Sequence, residues 1–142
     1  MQPATTADLV LDASVTLTAI LPEEAHGDVA RAILDRVATA GAAVPVLWRI
    51  EVGNALLTNE RRGRLPAGRV EAICRQLDAL PIQPDPETTA HAWGTTIALA
   101  RKHRLTVYDA CYLELAQRRR LKLASFDAAL LRAAAAEGIA AA

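Results

Sequence analysis

Leu9-Val10-Leu11 is an unbroken aliphatic run that ends abruptly at Asp12. With no polar residue alternating, it predicts a strand buried on both faces, as in parallel sheets covered by helices. Such a strand commits the chain to an α/β arrangement. Ligands of open α/β sheets bind outside the carboxyl ends of the strands. Asp12 is therefore either a site residue or the N-cap of the helix that follows. The segment alone does not choose.

Further along, short apolar stretches alternate with helical patterns, which gives one α/β layer sandwich. The 142 residues fit a single domain, 1–142. A first helix is expected over 15–21, stopped by Pro22, and a second over 27–40, closed by Gly41. Strands are expected at 42–46, weakly at 81–84, and at 121–124, with a last edge strand at 138–140. Helices are expected over 47–62, from Pro66 on, and from about Pro86 to the basic group Arg101-Lys102-His103-Arg104, the last with Ala90, Trp93, Ile97 and Ala100 on one face. Another follows Asp109, with Cys111, Tyr112, Leu115 and Ala116 inward, and the last covers 128–137.

The helix at Leu47 is apolar nearly all round its first half, yet it carries Glu51, with Asn54 on the same face. Arg49 is two residues away and points elsewhere. Glu51 is either a solvent-facing residue on a half-buried helix or a buried carboxylate that needs a partner from another segment, or a metal. Asp12 at a strand end, Asp109 at a helix start and Asp127 at a strand-to-helix junction complete a set of four acids. Singly, Asp109 and Asp127 read more readily as N-caps. Together they share a physical logic: carboxylates about 4 Å apart repel by roughly 4 kcal/mol per pair at an effective dielectric of 20. Such a cluster persists only with protons or a cation. Oxygen-only donors suit Mg²⁺ or Mn²⁺, and a carboxylate-held Mg²⁺ can activate a water and neutralise charge at a phosphodiester.

The blocks around these acids are Leu9 to Val15, Glu51 to Leu56, Tyr108 to Ala116 and Leu123 to Leu130. In that order they resemble the four blocks of PIN-domain ribonucleases, most closely the VapC-type toxins of bacterial toxin–antitoxin pairs. The resemblance covers essentially the whole chain. It implies a three-layer sandwich with a central parallel sheet of about five short strands, and a Mg²⁺-dependent endoribonuclease. It also implies a homodimer restrained by a VapB-type antitoxin. The family's acidic positions fall on Asp12, Glu51, Asp109 and Asp127, as catalytic residues and metal ligands. Ser14 and Asn54 match its secondary polar positions, and Ser125 stands where many relatives have Thr.

RNA needs positive charge near that acidic mouth. Candidate contacts are Arg61 and Arg62, with Arg64, at one helix end, and Arg118, Arg119 and Arg120, with Lys122, in the densest run. Arg101, Lys102 and Arg104 form a third cluster. Each also suits a helix C-terminus, where cations favour the macrodipole. His26, His91 and His103 are scattered without ligand spacing and read as incidental.

Lys plus Arg equal Asp plus Glu at 16 each, so no global field advertises a polyanionic partner, and any RNA contact must be local. Cys74 and Cys111 lack metal-type spacing and read as buried free thiols of a reducing compartment. With no membrane-length apolar run and no signal-peptide pattern, the expectation is cytoplasmic. Two rival readings stand beside the nuclease. A phosphoaspartyl hydrolase of haloacid dehalogenase type would want a second Asp at Ser14, and a receiver-like domain would want a Lys near 125–127. A non-catalytic module would use the acids only as caps.

Overall fold

The computed structural model describes residues 6–21 and 25–142. Its centre is a parallel sheet of β1 (Leu9–Leu11), β2 (Ala42–Val44), β3 (Ile82–Pro84) and β4 (Lys122–Ala124) in the order β3-β2-β1-β4. β1 lies between two neighbours, Leu9 facing Ala42 on one side and Lys122 on the other. All three β1 residues are fully buried, as an aliphatic run without alternation requires. Pro45 ends β2, and the two prolines around β3 leave it at the edge, where a missing N–H costs least. The fifth strand expected at 138–140 is reduced to a single bridge between Leu123 and Ala141. Its Ala-rich tail offers little branched surface to hold a strand.

Helices α1 (Ala13–Ile20), α2 (Gly27–Ala40), α3 (Trp48–Arg61), α4 (Arg69–Asp78), α5 (Thr88–His91), α6 (Ile97–His103), α7 (Val107–Arg119) and α8 (Ala128–Ala136) surround the sheet. Pro22 lies outside the described residues. α4 starts three residues after Pro66, because Gly68 at φ +83° holds a left-handed turn there. A π-helical turn, Ala92–Thr96, joins α5 to α6. Its i→i+5 bonding shifts the phase of the helix face. Ala90 and Trp93 therefore turn outward, Trp93 to 92% exposure, while Thr88, Thr96, Leu99 and Ala100 go in. Cys74, expected inside, is exposed; Cys111 is buried.

α7 is the central helix. Seven consecutive residues, Ala110 to Ala116, are buried, so it is enclosed on every side and shows almost no amphipathic contrast. It packs on β1, β4, α6 and α8. Asp109 lies in its first turn, just before this buried run. Among the described residues, no helix is long and apolar enough to cross a membrane.

Candidate active site

Parallel strands put their carboxyl ends on one edge, and three of the four acids leave the sheet there. Asp12 directly follows β1, its N–H still bonded to the Ala124 carbonyl of β4. Asp127 begins α8 just beyond β4, and Glu51 is in the first turn of α3 beyond β2. Asp109 comes from the first turn of α7. All four line one cleft of about 370 Å³, with Ser14, Leu17, Asn54 and Ala55 among its other walls. Among the described residues, no Lys, Arg or His lines it.

Each acid is held differently. Asp12 is in the N-cap position of α1 but makes no cap bond with its side chain. Its Oδ2 instead accepts from Ser14 Oγ and Ser125 Oγ, both at 2.7 Å. Each serine is fixed in turn by a backbone N–H that it accepts: Phe126 donates to Ser14 at 3.1 Å and Asp127 to Ser125 at 3.0 Å. The 125–127 turn thus clamps the end of β1. Asp127 does cap α8, accepting the Leu130 N–H at 2.8 Å, and also reaches the cleft. Asp109 is not a cap; Thr106 takes that duty, accepting the Asp109 N–H at 3.0 Å. Glu51 Oε1 accepts the Tyr112 hydroxyl at 2.9 Å. Arg49 is turned away to Asp78 of α4, as its spacing from Glu51 required.

Tyr112 and Thr106 escape a reading of the sequence. Tyr112 is fully buried and fits the inward stripe of α7, so nothing marks its hydroxyl. The one signal is its i+3 offset from Asp109, which puts both on one face.

The electrostatics are those of uncompensated anions. Burial raises the Asp12 carboxyl above its ordinary value, against the lowering pull of the two serines, and Asp127 adds repulsion. Burial likewise raises Glu51, with Asp12 and Asp109 contributing and the Tyr112 bond opposing. Asp109 is raised by burial, then by Asp127 and Asp12. The Tyr112 phenol is pushed far up by burial and by Glu51 and Asp12, so it remains a donor.

These blocks match a known family. The PIN domain model matches residues 9–136. The chain belongs to the PIN-domain family. Ribonuclease VapC3 of Pyrobaculum aerophilum is 33% identical over 125 residues, covering 84% of this chain and 88% of that protein. That likeness puts this PIN domain among the VapC-type nucleases. A crystal structure of PAE2754 from Pyrobaculum aerophilum superposes with a TM-score of 0.67 at 25% identity, over 92% of this chain and 87% of that one. FitAcB from Neisseria gonorrhoeae shares the fold with a TM-score of 0.62 at 17% identity, over 94% and 95%.

PIN-domain nucleases generally use divalent metal ions, and the donors of this PIN domain fit one. Four hard oxygen donors face a cleft with no cationic side chain among its described walls. Among the described residues, no three Asp, Glu, His or Cys side chains are gathered tightly enough to hold an ion directly between them. An ion that keeps several waters needs only one or two direct carboxylate contacts.

The basic candidates separate. Arg118 is engaged within the chain: it bonds Asp85 and Glu114, both buried, and also Glu87. The Glu114 bonds raise its pKa further, with Asp85 adding, although burial opposes them. Arg120 and Lys122 border a second groove at the start of β4, the sheet's opposite edge. Arg119 is exposed beside them, while Arg61 and Arg62 are exposed at the end of α3. Lys102 bonds Glu137 at 2.9 Å. The histidines have structural contacts: His26 stacks on Phe126, His103 bonds Glu137, and His91 is 3.7 Å from Glu114.

Proposed function

We propose that this chain is a Mg²⁺-dependent endoribonuclease that hydrolyses RNA phosphodiester bonds, with Mn²⁺ as an alternative ion. It would be the toxin of a VapC–VapB pair, restraining translation or growth until its VapB-type antitoxin binds. The observation that carries this reading is the convergence of Asp12, Glu51, Asp109 and Asp127 on one cleft whose described walls hold no cation. The name of the 33% identical relative, a ribonuclease, supports RNA as substrate.

In this reading Asp12, Glu51 and Asp109 hold the principal ion, directly or through water. The bound ion would activate a water and neutralise charge developing on the phosphate. Ser14 and Ser125 keep Asp12 aimed at the cleft through its Oδ2. Asp127 has Oδ1 occupied by the α8 cap and stands exposed, which suits it to orient the attacking water. Asn54 lines the cleft on the Glu51 face of α3 and would hydrogen-bond water or phosphate. Arg61 and Arg62 are the favoured RNA contacts; Arg119 and Arg120 are less suited, since Arg120 opens onto the other edge of the sheet.

The homodimer belongs to the same proposal. Ile50 is 75% and Trp93 92% exposed, and these are the apolar side chains a second copy would be expected to cover. Light scattering of the isolated chain tests it, a monomeric mass counting against it. Cleavage of a defined RNA panel with Mg²⁺ and with EDTA tests the activity. Full cleavage in EDTA would contradict the proposal.

A further inference from the structure

Two elements that carry acids meet at one phenol. Tyr112 is on α7, one turn after Asp109, and its ring is fully buried. Its hydroxyl donates to Glu51 Oε1 of α3 at 2.9 Å. Glu51 makes no other side-chain hydrogen bond among those the structure describes, so the phenol alone fixes its carboxylate plane. A ring packed in the core on a fully enclosed helix has no freedom to follow Glu51. The glutamate must follow the ring.

We propose that Tyr112 is a positioning residue, holding Glu51 Oε1 so that Oε2 is the oxygen presented to a divalent ion in the cleft. The role rests on the reading of the cleft as a metal site. Outer partners of this kind fix ligand orientation before the ion arrives, and their loss commonly costs about 10–100-fold in metal affinity or activity. Tyr112 touches neither ion nor substrate; it acts through Glu51.

The test is Mn²⁺ affinity of the intact chain without RNA, read from the electron paramagnetic resonance of free Mn²⁺. It compares wild type, Tyr112→Phe, Glu51→Gln, their double variant and Asp12→Asn, each with an ion-free thermal unfolding curve. The expected result is an affinity about 10–100-fold weaker in Tyr112→Phe, with cooperative unfolding kept. The double variant should bind no more weakly than Glu51→Gln alone, because the phenol has nothing left to orient. Wild-type affinity in Tyr112→Phe, or full additivity in the double variant, overturns the role while the metal site stands. Loss of cooperative unfolding in Tyr112→Phe would make the hydroxyl structural and overturn it too. Unchanged Mn²⁺ binding in both Asp12→Asn and Glu51→Gln would remove the metal site itself, and Tyr112's role with it.

Discussion

Ser125 donates its hydroxyl hydrogen to Asp12 Oδ2 at 2.7 Å, joining residues 113 positions apart. The same hydroxyl oxygen accepts the Asp127 N–H, so one buried side chain sets the position of two acids. Ser125→Ala leaves a backbone donor unmatched and Asp12 short of a partner. It should cost about 1–3 kcal/mol in urea unfolding and lower cleavage at neutral pH. Ser125→Thr keeps the hydroxyl and should restore most of both. Equal stability of the Ala variant and wild type would contradict the clamp.

Asp12, Glu51 and Asp109 all have carboxyl groups raised by burial and mutual repulsion. A raised acid binds its proton more tightly folded than unfolded, so stability falls as pH rises above about 4 through the raised values. Asp85 and Glu137 act oppositely: burial raises Asp85, but Arg118, the Glu87 N–H and Thr88 together outweigh it, and His103 and Lys102 hold Glu137 low, so their contribution is lost only as pH drops below the ordinary carboxylate range. In EDTA, the thermal midpoint should therefore rise as pH is lowered from neutral toward about 4. Asp12→Asn should flatten that slope and be about 0.5–2 kcal/mol more stable at neutral pH, a gain typical of relieving a functional site. Saturating Mg²⁺ should stabilise wild type and leave Asp12→Asn nearly unchanged. A flat wild-type profile would count against the clustered anions.

Arg118 is held among Asp85, Glu87 and Glu114. Arg118→Ala strands two buried carboxylates and should cost about 3–5 kcal/mol, measured by denaturant unfolding. Its fork serves three carboxylates at once, so Lys should recover only part of the loss. A change in RNA salt dependence without loss of stability would return Arg118 to the substrate.

Arg61 and Arg62 are exposed, and reversing them to Glu should leave the fold intact. Cleavage should weaken, and the slope of log affinity against log salt should shrink by about 0.7 for each single-strand phosphate no longer neutralised. The same reversal at Arg119 and Arg120 should matter less. A larger effect there would move the RNA path to the other edge of the sheet.

The sheet and its acidic edge are legible because β1 is aliphatic without alternation and because four acids fall at element junctions. Which of these acids cap helices is not, since capping depends on a few degrees of backbone and on neighbours such as Thr106. Asp127 caps and faces the cleft at once; Asp109 does not cap at all. Periodicity misplaces Trp93 because it assumes 3.6 residues per turn, and a π turn breaks that phase. In the sequence, Arg118 looks like its neighbours in a basic run. Only the fold brings Asp85, 33 residues away, against it. Tyr112 is hidden by its own ring, because an inward aromatic on a core helix reads as packing.

The most direct measurement is cleavage of a defined RNA by wild type and Asp12→Asn, each with Mg²⁺ and with EDTA. Wild type should cleave with Mg²⁺ and not in EDTA. Asp12→Asn should lose at least about a hundredfold, the scale set by removing a group that stabilises reaction charge. Equal cleavage by the two proteins, or full wild-type activity in EDTA, would contradict a metal-dependent nuclease centred on Asp12.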